Sequence, residues 1–292
     1  MGFSSLDDMY AEITAGKFLR QDINKITGGS AYTAGRWYDM SSLAGTPVAN
    51  AWAGTALAWR SCDETTGNGT QIFGIPHGGN VSPDTKHIVN VSALTAVATG
   101  VPAQLMLVDL QGYWPGISNN TTSAQTLTGT PTLRYTNGVG CRLFAVQTAA
   151  AGATAQNLAL SYTDSAGNTG NTLPVTVACT ASAIAGHITH SGTAANNYGP
   201  FLPLANGDLG VQNVATVTMS AANTGTFALC LAKPLLTIPI AAASIASERD
   251  LVNQLPSLPQ VKDGACLVWL YFAGAATAAS TNFYMATEFA WG

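Results

Sequence analysis

Charge is what this sequence has least of. Asp, Glu, Lys and Arg make up 9% of its 292 residues, against about 25% in an ordinary soluble domain. A surface so poor in charge is either coated with uncharged Thr, Ser, Asn and Gly or covered by neighbours. The net charge of -4 and pI near 5.4 provide no basic stripe of the kind that holds a phosphate backbone, so no nucleic-acid partner is expected. The opening Met1-Gly2-Phe3-Ser4-Ser5-Leu6-Asp7-Asp8 lacks the basic and apolar regions of a secretion signal, which predicts synthesis and assembly in the cytoplasm. Leu6 stands where an N-myristoylation motif needs Ser or Thr.

Cysteine is sparse and unpatterned. Cys62, Cys141, Cys179, Cys230 and Cys266 are an odd number without close CxxC spacing, and four of them sit inside apolar runs. They read as buried free thiols acting as small hydrophobes, not as disulfides or metal ligands. Apolar residues reach 47% and mean hydropathy is +0.20, yet the longest apolar run, 227–246, contains Lys233, Pro234 and Pro239. Proline in a helix interior costs about 3 kcal/mol, so this run predicts β-strands joined at Pro234 and no membrane span.

Catalytic patterns are missing too. No Gly-x-Ser-x-Gly elbow is present. His187 and His190 have i, i+3 spacing that suits a metal only on a helix, and the Gly and Thr around them argue against one. Asp164 and Asn168 have the look of half a calcium loop, but Val175 stands where an EF-hand needs Glu, and turn chemistry accounts for the pair. The sequons at Asn68, Asn80, Asn90, Asn119 and Asn120 follow from high Asn and Thr content. The expectation is no catalytic residue, no cofactor-binding residue, no metal site and no enzyme activity.

What the sequence does have is strand after strand. Between Thr130 and Val177 lie the apolar run 141–147, the alternating segment 156–163 and the resumed run 173–177, with the turn Asp164-Ser165-Ala166-Gly167-Asn168 between the last two. Alternation around an Asx/Gly turn signals antiparallel pairing, because side chains point to opposite faces with a period of two. Leu158, Leu160 and Tyr162 are expected to be buried, with Asn157, Ala159, Ser161 and Thr163 on the other face.

Elsewhere, further strands are predicted at 70–76, 86–97, 102–110, 214–219, 226–232, 265–272 and 282–291. A helical pattern starts at Ser4, with Leu6, Met9, Tyr10 and Ile13 at helical spacing and Gly16 as a stop; a second short helix is expected over 244–255, with Ile245, Leu251, Val252 and Leu255 inward. Residues 113–129 read as an exposed, mobile loop, 181–209 as a polar, Gly/Asn-rich region, and 221–225 as a hairpin turn. Tyr32, Trp37, Tyr38 and Trp52 read as plugs sealing loops. The length allows one large β domain, giving 1–30 as an N-terminal helix or arm and 31–292 as an all-β, antiparallel domain. The arm is expected to serve assembly more than the fold.

The segments Thr132-Leu133-Arg134-Tyr135-Thr136-Asn137-Gly138-Val139-Gly140 and Ala153-Thr154-Ala155-Gln156-Asn157-Leu158-Ala159-Leu160-Ser161-Tyr162-Thr163-Asp164, the opening Ser5-Leu6-Asp7-Asp8-Met9-Tyr10 and the apolar C-terminal strand resemble structural proteins of tailed-bacteriophage particles. The resemblance implies a capsid decoration (cement) or minor head protein, with a β-sandwich or jelly-roll fold. It implies location in the virion, contacts to the major capsid protein or other virion proteins, and homo-oligomers with trimers favoured. Two rivals stay open. One is a carbohydrate-binding or adhesive module using Trp37, Trp52, Tyr113 and Trp114 as stacking platforms; the other is a β-sandwich hydrolase, which needs a pocket with two carboxylates about 5 to 10 Å apart.

Overall fold

The computed structural model describes residues 2–192, 199–254 and 258–292. Its elements are α1 (Leu6–Thr14), β1 (Phe18–Ile26), β2 (Arg36–Asp39), β3 (Ala44–Thr46), β4 (Arg60–Ser61), β5 (Lys86–Thr95), β6 (Ala103–Ser118), β7 (Gln125–Thr126), β8 (Arg142–Ala149), β9 (Gln156–Asp164), β10 (Asn171–Thr172), β11 (Val177–Cys179), β12 (Val211–Met219), β13 (Thr226–Ile240), β14 (Ser247–Asp250), α2 (Leu251–Gln254), β15 (Gln260–Val261), β16 (Leu267–Ala273) and β17 (Asn282–Trp291).

Four antiparallel pairs are nested: β1 with β17, β2 with β16, β5 with β14 and β6 with β13. They are distributed over two sheets, β14-β5-β17-β1-β3 and β2-β16-β6-β13-β8, with β15 added on β5 and β4 on β6. A chain that runs out and back on itself and is then rolled so that alternate pairs fall into opposite sheets is a jelly roll. The expected all-β antiparallel class holds. Between the sheets lies the first core, with Ile88, Val91, Phe283, Met285 and Phe289 from one side and Leu105, Leu107, Ile238, Trp269 and Tyr271 from the other.

Residues 119–225 are an excursion between β6 and β13. They add β8 to the second sheet and build a third sheet, β10-β9-β12-β7 with β11 on β9. That sheet packs Leu158, Leu160, Tyr162, Val214 and Val217 on Trp114, Leu143, Phe227 and Leu229. The predicted face of β9 is the buried one; Asn157 and Ala159 are exposed, and Ser161 and Thr163 half-buried. The Asx/Gly turn also forms, with the Asp164 carboxylate accepting from the backbone N–H groups of Ala166 and Asn168.

The long ribbon β6–β13 serves both cores from one face. Cross-strand pairs Leu107–Leu236 and Leu105–Ile238 face the first core, Trp114–Leu229 and Ile117–Phe227 face the second, and Asp109–Lys233 lies between. Register shifts bend the ribbon at Pro234 and again beside Pro115 and Gly116. Proline is tolerated in a strand at such bulges, where no ladder hydrogen bond is lost. This corrects two expectations. Pro234 does not join two strands but sits in one, and Trp114-Pro115-Gly116 is no exposed loop, since Tyr113, Trp114 and Ile117 are fully buried. Gly116 has φ 68°, and a Cβ there would stand 2.8 Å from that of Ala56.

Other segments differ because tertiary packing overrides local pattern. Residues 70–76 form no strand; only Ile75 bridges Leu267, and Phe73 and Ile75 are buried as a lid. Residues 173–176 leave the ladder between β10 and β11. The 221–225 turn is not a hairpin, because β12 and β13 lie in different sheets. Over 244–255 the chain makes β14 with one helical turn after it, and Ile245 is exposed instead of inward; Leu255 lies outside the described residues.

At the N-terminus, Ser5 caps α1, accepting from the Asp8 N–H at 3.1 Å, and Gly16 ends it at φ 91°. Met9 then packs on Val89 and Ala290 of the chain's own sheet, with Phe3 and Ile13 beside it. Residues 18–26, placed with the arm by the sequence, are an interior strand paired with β17 along its whole length and with β3 on the other side. Arg20 and Asp22 occupy its outer face, while Ile23 enters the first core and Lys25 is buried, its Nζ donating to the carbonyls of Leu43 and Pro47.

Candidate interaction surface

The aromatic residues offered as sugar platforms are not available to a sugar. Tyr113 and Trp114 are fully buried, and Trp37 and Trp52 nearly so. Their polar atoms are occupied internally: Trp52 Nε1 donates to Ser42 Oγ at 2.8 Å, Tyr113 OH to the Ala53 carbonyl at 2.8 Å and Trp114 Nε1 to the Thr128 carbonyl at 3.2 Å. They are plugs, as Tyr32 and Tyr38 are, whose rings stack at 3.9 Å. His187 and His190 are buried, and among the described residues no group of three His, Cys, Asp or Glu is placed to hold a metal. All five cysteines are free and buried.

A polar cleft of about 380 Å³ brings Asp84 and Asp263 together with Lys86 and Arg134. Each of these groups has a structural partner. Asp84 binds Lys17 at 2.7 Å, and Asp263 Oδ1 accepts from Val81 N–H at 3.1 Å. Lys86 Nζ donates to His77 Nδ1 at 3.0 Å and to the carbonyls of His77 and Gly79, and Glu64 Oε2 lies 3.2 Å from His77 Nε2. Glu64, His77 and Lys86 thus line up as carboxylate, imidazole and amine. All three ammonium protons are directed at acceptors, so the line fastens residues 77–79 to the start of β5. Burial lowers the pKa of His77 and of Lys86.

The open surface is apolar and weakly charged. On the outer face of the first sheet, α1 covers the end around Val89 and Ala290. The other end carries a cleft of about 280 Å³ lined by Leu94, Ala246, Tyr284 and Ala286, with Arg20 and Asp22 at its margin. Tyr284 is 45% and neighbouring Ile245 64% exposed. Arg20 is paired with Asp22 and Glu288, both at 3.0 Å, so it adds little field. On α1, Leu6 and Tyr10 project outward at i, i+4 spacing; on the excursion, Leu209 and Val139 are exposed beside each other, where Gly140 N–H meets the Leu209 carbonyl. Sequence reasoning missed this surface, because which apolar residues stay outside depends on which strands cover one another. No described helix is long and apolar enough to cross a membrane.

No family model and no curated protein matches the chain. Among solved structures it is compared with the VP2 subviral particle of infectious bursal disease virus, at 8% identity, 94% of this chain, 80% of that chain and TM-score 0.16. VP1 of trichodysplasia spinulosa-associated polyomavirus gives 10% identity, 94% of both chains and TM-score 0.20. Superpositions at such TM-scores carry no argument about this chain.

Proposed function

We propose that this chain is a structural component of a virus particle that works mechanically, by burying surface between its own copies and neighbouring shell proteins, without catalysis. The observation that carries the reading is the jelly-roll winding with an outer sheet face that α1 covers at one end only, leaving Tyr284 and Ile245 exposed and Leu94 half-buried on a chain with 9% charged residues. Jelly rolls with self-contained cores serve as capsid building blocks. Apolar burial contributes about 25 cal/mol per Å², and repetition over a lattice turns a modest contact into a large total even after association entropy. The finer assignment is decoration or minor head protein of a tailed-bacteriophage head, contacting the major capsid protein, probed as a trimer.

Sedimentation velocity over a concentration series, electron microscopy of the products and mass spectrometry of purified particles test this. The expected result is a defined oligomer that adds to shells, with Tyr284→Asp weakening association while the circular dichroism spectrum is kept. A chain that stays monomeric throughout and is absent from particles overturns the reading.

A further inference from the structure

The second sheet does not end at β2 and β8. Residues 186–189 lie between these two edges and bond to both. Towards β2, Asp39 N–H donates to the Gly186 carbonyl at 2.8 Å and Ile188 N–H to the Trp37 carbonyl at 2.9 Å; towards β8, Gln147 N–H donates to the His187 carbonyl at 2.8 Å, Gly186 N–H to that of Gln147 at 2.8 Å and Thr189 N–H to that of Ala145 at 2.9 Å. Trp37 N–H adds a bond to Ser191 Oγ at 2.9 Å. This strap closes the sheet into a ring around a third core, to which β2 gives Trp37, β16 Leu270, β6 Val108, β13 Cys230, β8 Phe144 and the strap itself Ile188.

The strap carries His187, and His190 follows its last residue; both are fully buried. Among the described residues neither ring nitrogen of His190 has a partner, and Nδ1 of His187 has none, its Nε2 lying 3.3 Å from Ser191 Oγ. The titratable and charged groups on the elements packed against the strap are Arg36, Tyr38 and Asp39 on β2, Arg142 on β8 and Cys179 on β11, with Asp109 and Tyr113 on β6, Cys230 and Lys233 on β13 and Tyr271 on β16 across the third core. Tyr38 lies against His187 with ring centroids 5.1 Å apart. The Asp39 carboxylate is turned to Ser41 and Ser42. Arg36 acts on His187 with like charge, as does His190. Among the described residues no carboxylate bonds to either ring. Burial holds both rings down to about 3.

We propose that the strap is an acid-labile latch: proton uptake by His187 and His190 opens the seam between β2 and β8 while the pairing within the other sheets persists. A neutral ring without a partner is tolerated in the closed seam, whereas a charged one is stable only in water, so protons bind the open form and pull the equilibrium towards it. The opening constant rises about tenfold per pH unit for each histidine once pH falls below about 6.5, about a hundredfold for the two together.

Amide hydrogen exchange of the full-length chain between about pH 7.5 and about pH 5, corrected for intrinsic rates, reads this directly. The expected result is that Asp39, Gln147, Gly186, Ile188 and Thr189 lose protection steeply with acid while the β9–β12 and β1–β17 amides keep theirs. In His190→Leu, and in His190→Gln should the first fail to fold, the slope falls to about tenfold per unit. Strap protection that is independent of pH, that declines in step with the control amides, or that keeps its wild-type slope in the variant overturns the proposal.

Discussion

Arg134 on the excursion grips Asp109 in the middle of β6, with Nε 3.1 Å from Oδ2 and Nη2 donating to Oδ1. Asp109 is wholly buried between the first and second cores, and it also accepts from Cys266 N–H at 3.1 Å. The same guanidinium donates to the carbonyls of Cys62 and Leu110, both at 2.7 Å. Arg134 therefore pins the excursion to the ribbon and to the loop after β4, and its partner Asp109 carries the attachment on to the start of β16. Removing one partner of such a pair leaves an uncompensated charge in the interior, which costs about 3 to 5 kcal/mol. Arg134→Met should lower the denaturation midpoint accordingly, and the double variant with Asp109→Leu should be more stable than Arg134→Met alone. A double variant no better than the single one would show that the backbone carbonyl contacts, not the ion pair, hold the excursion.

Within the excursion, Leu160 is buried in the second core while adjacent Ser161 is half-buried on the opposite face. Leu160→Ala should cost about 2 to 5 kcal/mol through lost burial and the cavity left behind. Ser161→Ala should change stability by less than about 0.5 kcal/mol. Urea denaturation of both variants checks the contrast, which vanishes if a partner covers the outer face in the measured state.

Truncation separates α1 from β1. Deleting residues 1–16 removes a helix that lies on the outside of the first sheet, and the shortened chain should fold with a strand-dominated circular dichroism spectrum. Deleting residues 1–26 removes the neighbour that β17 pairs with from Phe18–Ala290 to Ile26–Asn282. It exposes an unpaired interior edge, and the product should be unfolded or aggregated. A well-folded 27–292 fragment would contradict the placement of β1.

Thiol labelling reports on the cores. All five cysteines are buried, and burial pushes the thiols of Cys141 and Cys179 up to about 12. A buried thiol with a raised pKa holds little thiolate and reacts slowly. The native protein should show no rapidly reacting thiol, and the denatured, unreduced protein should show five. A denatured count of three or one would reveal a disulfide.

The sequence by itself determined the all-β class, the place of many strands, the buried face of β9, the Asx turn after it, the cap and stop of α1 and the reduced state expected of the thiols. Each of these depends on residues close together in the chain: a period of two, a Ser three residues before the backbone N–H that it caps, a Gly at positive φ. Strand β17, expected at 282–291, spans Asn282–Trp291, with Phe283, Met285 and Phe289 in the first core and Tyr284 and Glu288 on the other face.

Only the tertiary structure decided who pairs with whom. Nothing local in Phe18–Ile26 encodes Asn282–Trp291 as its partner, and only the sheet gives Arg20 and Asp22 an outer face and Ile23 an inner one. Pro115 and Pro234 read as breaks because a bulge depends on the partner strand's register, which lies far away in sequence. Gly186-His187-Ile188-Thr189 has no alternation at all, yet it closes the second sheet, since two edges already held in place need only a few backbone groups to bridge them. The same holds for the open outer surface. An apolar residue such as Tyr284 is no different in kind from those of the cores, and what left it facing water is that α1 is short enough to cover only the other end of the sheet.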